Sequence, residues 1–285
     1  MKIAFFDTKP YDKIAFDAVS KEMGYEITYF EERLTPATAD KAKGFDATCS
    51  FVNDEANADV IQTLKDGGIK VMLLRCAGFD SVDLAKTKEL DIPVLRVPAY
   101  SPESVAEHAA ALLQTVNRNT HLGSNRTKEF NFNITGLMGI ALVGKTAGVV
   151  GTGKIGKCAV NILRGFGMKV IAYDAFPDKS SDIEYVTLDE LYAKSDVITL
   201  HCPLFPETKH MINKDSIAKM KDGVLLVNTS RGGLINTEDL LVAVKAGKFR
   251  GVGLDVCEKE HEYFYEDRSN ITDKDPVLQE LLQNE

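Results

Sequence analysis

Short apolar runs alternate with helix-like segments through the first 97 residues. Each run has four or five residues and is bounded by polar ones. This alternation predicts a parallel sheet covered by helices on both faces. The predicted strands are residues 2–6, 27–30, 47–51, 71–74 and 94–97, and the predicted helices include residues 14–23, 59–66 and 84–89.

The alternation of predicted strands and helices ends at residues 96–102, whose sequence is RVPAYSP. The two prolines stiffen the backbone there. A long helix is predicted to begin after Ser101, with its Ala-rich part running from residue 105 to about residue 121. We place a domain boundary at this break, with one domain over residues 1–99 and a second over residues 100–285. The second domain is predicted to have strands at residues 147–150, 169–173, 197–201, 224–228 and 251–256, with helices at residues 157–166, 214–220 and 237–246.

The composition narrows the class of protein. The chain has 285 residues, 44% of them hydrophobic and 27% charged, which is typical of a globular protein with two ordinary domains. A net charge of −8 without a basic run argues against nucleic acid or an anionic membrane as a partner. No apolar run has the length of a membrane span. Five scattered cysteines without metal spacing predict no metal site and indicate reduced thiols of a cytoplasmic protein.

The segment 149–156, VVGTGKIG, predicts a dinucleotide-binding turn. Gly151 permits the tight turn, Gly153 lets the backbone approach a pyrophosphate, and Gly156 lets helix and strand pack closely. The helix that begins near Ile155 would point its free N–H groups at the two phosphates. Asp174 ends the next apolar run, 18 residues after Gly156. This order of strand, turn, helix, strand and acid predicts a nicotinamide dinucleotide.

Three further loops follow predicted strands of the second domain. They are residues 201–204 (HCPL), 228–233 (NTSRGG) and 255–260 (DVCEKE). Open parallel sheets present ligands at the carboxyl ends of their strands. We therefore expect a guanidinium and two carboxylates to meet the reactive end of the cofactor there.

With these motifs the chain resembles the D-isomer-specific 2-hydroxyacid dehydrogenases, and among them most closely the fermentative D-lactate dehydrogenases. The resemblance covers essentially the whole length. It rests on residues 74–79 (LRCAGF), 97–102 (VPAYSP), 105–108 (VAEH), 151–156 (GTGKIG), 200–204 (LHCPL) and 228–233 (NTSRGG), and on Asp255 with Glu260. It implies a flavodoxin-like parallel α/β substrate domain over residues 1–99, a Rossmann-type doubly wound NAD-binding domain over residues 100–285, and a homo-oligomer built around the helix at residues 105–121.

The resemblance also implies roles for two charged residues. Arg231 matches the catalytic arginine, which holds the substrate carboxylate and polarises its 2-oxo group; arginine suits this task because it is always charged and donates in a fork. Glu260 matches the acid that pairs with the catalytic histidine and raises its pKa. A solvated acidic face remains the alternative for Glu260.

Further residues are implied as substrate or cofactor contacts. The backbone N–H groups of Ala77 and Gly78 match the carboxylate cradle of the first domain. Tyr100 matches a hydroxyl donor to the same carboxylate, with simple packing as the alternative. Asp174 would bind the ribose hydroxyls and repel a 2′-phosphate, which favours NAD over NADP. Other matches to cofactor-contacting positions are Lys154, Ile155, Cys202, Pro203, Thr208, Thr229, Ser230 and Asp255.

One departure from the family concerns its acid–base histidine. In the family this residue follows the segment matching residues 275–282, and the chain stops at residue 285 before it. We expect the missing part to include the segment that returns to complete the first domain. The five histidines offer no substitute: His108 is expected to be packed and hydrogen-bonded, His201 structural or in a cofactor loop, His121 and His210 at helix ends or loops, and His261 directed away from Glu260.

The sequence is compatible with three functions. The first is an NAD-dependent D-lactate dehydrogenase, which transfers hydride reversibly between NADH and pyruvate. The second is a dehydrogenase of another D-2-hydroxy acid, formed from glyoxylate or a branched 2-oxo acid. The segment PAYSP at residues 98–102 argues against phosphoglycerate as the substrate. The third is a non-catalytic NAD-binding protein, if 285 residues is the natural length.

Overall fold

The chain divides into two compact α/β units. The computed structural model describes residues 1–260, 263–264 and 267–284. The first unit is Met1–Tyr100 and the second is Ser101–Glu285. Each unit is built on one parallel sheet of its own.

The first unit holds five parallel strands in the order β2-β1-β3-β4-β5. This is the flavodoxin-like order, so the predicted fold class is confirmed. The strands are β1 (Lys2–Phe5), β2 (Glu26–Tyr29), β3 (Ala47–Ser50), β4 (Val71–Leu74) and β5 (Val94–Arg96), and the helices are α1 (Pro10–Met23), α2 (Ala58–Asp66) and α3 (Leu84–Glu89), with a 3₁₀ turn at Ala39–Ala42.

Strand β1 shows why both faces of this sheet are covered. Successive side chains of a strand point to opposite faces. Ile3 and Phe5 belong to one buried cluster, and Ala4 and Phe6 belong to another. An apolar run without polar alternation therefore places hydrophobic groups on both faces, each of which must be buried.

The second unit holds six parallel strands in the order β11-β10-β9-β6-β7-β8. Counted within the unit this is the doubly wound Rossmann order, with the switch point between β6 and β9. The strands are β6 (Thr146–Val150), β7 (Lys169–Tyr173), β8 (Glu184–Tyr185), β9 (Val197–Leu200), β10 (Val224–Asn228) and β11 (Phe249–Leu254). The helices are α4 (Pro102–Arg118), α5 (Thr120–Lys128), α6 (Lys154–Gly165), α7 (Leu188–Lys194), α8 (Lys214–Lys219), α9 (Thr237–Lys245) and α10 (Pro276–Gln283).

Several elements differ from the sequence-based prediction. Helix α4 begins at Pro102, directly after Ser101 as expected, because Ser101 caps it by accepting from the Ser104 N–H. The predicted end at residue 121 is wrong, since Asn119 adopts a φ of 51° and separates α4 from α5. Strand β8 and helix α7 were not predicted.

Helix α4 packs closely on the edge strand β11. Gly251 and Gly253 face this helix, and a Cβ on Gly251 would lie 3.0 Å from Cβ of Val116. A Cβ on Gly253 would lie 3.2 Å from Cβ of Leu112. The absence of side chains on this face of β11 therefore lets helix and strand approach directly. Within the described residues, no helix is long and apolar enough to span a bilayer.

Asp54 is a buried carboxylate in the first unit, only 2% exposed. Its Oδ1 accepts from the Leu34 N–H and its Oδ2 from the Phe51 N–H, each at 2.6 Å. Burial raises the pKa of Asp54 to about 6, and this effect exceeds the opposing effects of the two N–H donors and of Arg75. The carboxylate thus ties two loops together but is held in its charged form at a cost.

We predict that Asp54→Asn changes how stability depends on pH. The folded protein retains a proton that the unfolded chain releases between about pH 4 and pH 6, so wild-type stability falls as pH rises through this window. Asparagine cannot ionise, so the stability of the variant lacks this dependence on pH. Its amide NH₂ would face a backbone N–H donor, which lowers the stability of the variant at every pH. The difference in unfolding free energy between wild type and variant should change by about 2 kcal/mol between pH 4 and pH 7, to the disadvantage of the wild type. Urea unfolding at the two pH values measures it.

The exposed Asp59 provides a matched control. Asp59→Asn should keep a nearly constant difference from the wild type over the same pH range. A difference for Asp54→Asn that is equally independent of pH would contradict the prediction.

Candidate active site

The glycine loop joins β6 to α6 at the carboxyl edge of the second sheet. Gly151 has a φ of +90° and donates its N–H to the Tyr173 carbonyl at 2.8 Å. A Cβ on Gly156 would lie 1.9 Å from the Gly151 carbonyl oxygen, so the helix presses directly on the turn. Gly153 is the N-cap of α6, and no atom lies within 4 Å of a Cβ built on it. The loop therefore leaves open space in front of the first N–H groups of α6, which suits a pyrophosphate.

Asp174 lies beside this loop at the end of β7. Its Oδ2 accepts from the N–H and the hydroxyl of Thr152 at 2.6 and 2.9 Å, and its Oδ1 accepts from the Phe176 N–H at 2.8 Å. Partial burial raises the pKa of Asp174, but the three hydrogen bonds outweigh it and leave the pKa below its ordinary value. A fixed anion thus adjoins the helix N-terminus, as ribose recognition requires. Thr152 and Tyr185, whose hydroxyl oxygens lie 3.0 Å apart, also belong to this corner of the site, although the sequence did not predict them.

Hydrogen bonds join the loops that follow four neighbouring strands. The His201 N–H donates to the Val150 carbonyl at 2.7 Å. The Ser230 hydroxyl donates to the Leu200 carbonyl at 2.8 Å, and the Asp255 N–H donates to the Asn228 carbonyl at 3.0 Å. The ends of β6, β9, β10 and β11 therefore form one continuous edge.

The loop that carries Arg231 is closed by Asn228, which is fully buried. Asn228 Oδ1 accepts from the Ser230 N–H at 3.0 Å, and its Nδ2 donates to the Arg231 carbonyl at 2.9 Å. The Arg231 side chain is partly buried, and its Nη1 donates to the Ser230 carbonyl at 2.8 Å. The guanidinium is thus carried by a short loop with little freedom.

Gly232 brings this loop against the one that carries Glu260. A Cβ on Gly232 would lie 2.0 Å from the Cys257 carbonyl oxygen and 2.6 Å from the Glu258 nitrogen. In the second loop, the Glu260 carboxylate accepts from the Cys257 N–H at 3.1 Å, and the Glu260 N–H donates back to the Cys257 carbonyl at 3.1 Å. The structure therefore places Arg231 and Glu260 on two adjoining loops whose backbones are in contact.

An acid–histidine pair next to these loops was not found from the sequence. His210 Nε2 lies 2.5 Å from Oε1 of Glu258, and the Thr237 hydroxyl donates to the other carboxylate oxygen at 3.0 Å. Burial raises the pKa of Glu258, but the bonds from His210 and Thr237 outweigh it and lower the pKa overall. The partners are 48 residues apart in sequence, and only the sheet order brings their loops together.

The surroundings of the other histidines differ in part from those expected from the sequence. His108 was expected to be packed, yet its side chain is 49% exposed; it pairs with Asp255, Nε2 to Oδ1 at 3.1 Å. Its short distance to Asp255 reflects the position of α4 next to the end of β11. His201 lies 2.9 Å from the Thr199 hydroxyl, and burial lowers the pKa of its ring to about 4, so it is neutral. His261 lies outside the described residues.

The remaining predicted cofactor contacts lie on the same edge of the second unit. Lys154 and Ile155 form the first turn of α6, and Cys202 and Pro203 follow β9. Thr208 folds back on this loop by donating its hydroxyl to the Pro203 carbonyl at 2.8 Å. The buried Thr229 hydroxyl has no hydrogen-bond partner in the described part of the chain. An unsatisfied buried hydroxyl at this edge fits a site that a polar ligand completes.

The predicted substrate residues Ala77, Gly78 and Tyr100 belong to the first unit. Ala77 and Gly78 lie in the loop after β4, and neither backbone N–H has a hydrogen-bond partner among residues 1–260, 263–264 and 267–284. Tyr100 is the last residue of its unit and is 72% exposed, so it is not a core packing residue. Within the described chain, no group of three or more His, Cys, Asp or Glu side chains is arranged to hold a metal.

A family model described as "D-isomer specific 2-hydroxyacid dehydrogenase, NAD binding domain" matches residues 110–281. The chain belongs to this family. Its second unit therefore carries the NAD-binding domain of the family, and NAD is the cofactor that the glycine loop and Asp174 fit.

Individual relatives of the family agree over nearly the whole chain. The D-lactate dehydrogenase of Escherichia coli K12 is 46% identical over 284 residues, which are 99% of this chain and 86% of that protein. The structure of the pyruvate reductase of Chlamydomonas reinhardtii has a TM-score of 0.89 at 43% identity, over 99% of this chain and 86% of that one. The structure of a D-2-hydroxyisocaproate dehydrogenase has a TM-score of 0.83 at 36% identity, over 99% and 87% of the two chains. These similarities show an oxidoreductase of the D-2-hydroxyacid dehydrogenase type.

We predict that Gly232→Ala destabilises the second unit. A methyl group there would overlap the Cys257 peptide, and a displaced backbone loop costs more than about 2 kcal/mol. Gly165→Ala is the matched control, because a Cβ at the end of α6 meets no atom within 4 Å and should change stability by less than about 1 kcal/mol. Urea unfolding measures both. Equal stability of the two variants would refute the close contact of the loops.

Proposed function

We propose that the protein is an NAD-dependent D-lactate dehydrogenase that transfers hydride reversibly between NADH and pyruvate. The observation that carries this proposal is the pair of contacting loops with Arg231 and Glu260, at the sheet edge that also holds the glycine loop. The similarity to an enzyme named D-lactate dehydrogenase supports the choice of substrate.

The residues of the second unit hold the cofactor in this proposal. The N–H groups at the start of α6 bind the pyrophosphate, and Asp174 binds the hydroxyls of the adenosine ribose. The Thr229 hydroxyl supplies a further polar contact. When bound, the nicotinamide supplies the hydride for C2 of the 2-oxo acid.

Arg231 acts on the substrate through charge and geometry. Its guanidinium is always protonated and can donate two parallel hydrogen bonds to a carboxylate. Negative charge develops on the C2 oxygen during reduction, and a fixed cation stabilises it more in the transition state than in the ground state. The closed loop around Asn228 keeps this cation in place.

Glu260 is proposed to pair with the acid–base histidine of the family. A carboxylate beside an imidazole stabilises the protonated ring and raises its pKa towards neutrality. In this proposal the histidine follows the segment matching residues 275–282, as the resemblance to the family implies. The assignment of Glu260 is therefore tested in a protein that includes that histidine.

Two other functions remain candidates. Similarity to a D-2-hydroxyisocaproate dehydrogenase supports a branched 2-oxo acid as the substrate, and rates with pyruvate and 2-oxoisocaproate would distinguish the two. A non-catalytic NAD-binding protein would bind NADH and reduce neither acid. Sequencing the reading frame beyond residue 285 decides whether a histidine-bearing segment follows.

We also propose a cytoplasmic location and a homo-oligomeric state for the protein. None of the five cysteines, all of which lie in the described part of the chain, forms a disulfide bond, and this supports a reducing, cytoplasmic compartment. Exposed apolar side chains after α5 support a homo-oligomer in which a second copy covers them. They are Phe130, Phe132, Ile134 and Met138, each more than 70% exposed.

Arg231→Lys should lose most of the pyruvate reduction while keeping NADH binding. Lysine keeps the charge but cannot donate in a fork, and loss of such a transition-state donor costs about 100-fold in kcat. The dissociation constant of NADH, followed by nicotinamide fluorescence, should change less than about threefold because Arg231 contacts the substrate. Near-normal turnover of the variant would contradict the role.

Asp174→Ala should weaken NADH binding about tenfold or more, because hydrogen bonds to a charged group are lost. The preference for NADH over NADPH should fall, since the repulsion of a 2′-phosphate is removed. Asp178→Ala is the control: Asp178 is nearby and pairs with Lys157 at 2.7 Å. An unchanged cofactor preference in Asp174→Ala would remove the assignment.

A further inference from the structure

We propose that Arg96 is a positioning residue that orients the backbone N–H groups of Ala77 and Gly78 towards the carboxylate of the 2-oxo acid. The proposal rests on the proposed function of the protein. It concerns the loop of residues 76–79, here called the cradle loop, which follows β4 in the first unit.

Arg96 contacts the cradle loop at two points. It is the last residue of β5 and pairs in register with Leu74, the last residue of β4. Its Nη1 donates to the Ala77 carbonyl at 2.8 Å, and its Cζ lies 5.1 Å from the centre of the Phe79 ring. One guanidinium therefore holds a carbonyl and an aromatic ring of the same loop.

The first contact fixes the direction of the Gly78 N–H. The Ala77 carbonyl and the Gly78 N–H belong to one planar trans peptide, in which they point in opposite directions. A carbonyl held by Arg96 therefore leaves the Gly78 N–H directed away from Arg96. Gly78 has no side chain to restrict its backbone, so the loop needs an external contact to hold this peptide.

Neighbouring contacts fix the adjacent peptides in the same way. The Val97 N–H donates to the Cys76 carbonyl at 3.1 Å, which sets the direction of the Ala77 N–H. The Cys76 thiol donates to the Gly78 carbonyl at 3.2 Å. Three successive carbonyls are thus engaged, whereas the N–H groups of Ala77 and Gly78 lack partners within the described structure.

Two successive N–H groups without partners form a site for an anionic oxygen. The charge of Arg96 adds to it, because a cation on the Ala77 carbonyl polarises the peptide and strengthens the Gly78 N–H as a donor. Arg96 thus acts through the peptide and needs no contact with the substrate. The same contact on the Phe79 ring keeps the end of the loop in place.

The test compares Arg96→Met with Arg96→Lys in the complete protein. The probes are pyruvate turnover and the binding of oxamate, in which an amino group replaces the methyl group of pyruvate, to the NADH complex. Arg96→Met should raise both the KM for pyruvate and the Kd for oxamate about tenfold, the value of one charge-assisted hydrogen bond. Its kcat and its affinity for NADH should stay within about twofold. Arg96→Lys restores a charged donor and should recover most of the oxamate affinity.

Lys70→Met is the control for charge, because it removes one positive charge from an exposed ion pair with Asp46 in the same unit. It should leave oxamate binding unchanged. Equal oxamate affinity in Arg96→Met and wild type would overturn the proposal, as would an equal loss in Lys70→Met. A wild-type NADH complex that neither binds oxamate nor reduces a 2-oxo acid would instead refute the proposed function.

Discussion

All strands of a parallel sheet end at the same edge, and the chemistry of the second unit depends on this constraint. Backbone and side-chain hydrogen bonds link the ends of β6, β9, β10 and β11 in order. Residues that are distant in sequence, such as Asp174 and Glu260, therefore share one rim without any specific long-range attraction. The missing side chain at Gly232 then lets two of these loops make backbone contact. Sheet order brings the groups together, and glycine sets how closely they approach.

Ionisable groups of the two units show how local environment decides charge. Asp174 accepts three hydrogen bonds and keeps a lowered pKa, whereas Asp54 is more deeply buried and has a raised one. His201 is neutral because its ring is buried. The carboxylate next to the glycine loop is thus kept charged by its hydrogen bonds, while the buried acid of the first unit holds two loops together.

The sequence predicted most of the strands because buried parallel strands are continuous apolar runs bounded by polar loops. The two-residue strand β8 gave no such run, and α7 follows a capping pattern at Thr187 and Glu190 that the periodicity does not reveal. Candidate site residues could be named from the sequence where a motif contains them, as at residues 151–156 and 228–233. The contact of His210 with Glu258 and that of Arg96 with Ala77 each involve one residue, His210 or Arg96, that lies outside the motifs. They depend on which strands are neighbours, which a single sequence does not state.

The glycines of β11 have a mechanical consequence. Gly251 and Gly253 have no side chain, so Val116 and Leu112 of α4 pack directly against the backbone of the strand. Helix α4 begins at Pro102, two residues after the end of the first unit, and β11 leads into Asp255. A side chain at either glycine would therefore push α4 away from β11 and lengthen the contact between His108 of this helix and Asp255 at the end of the strand.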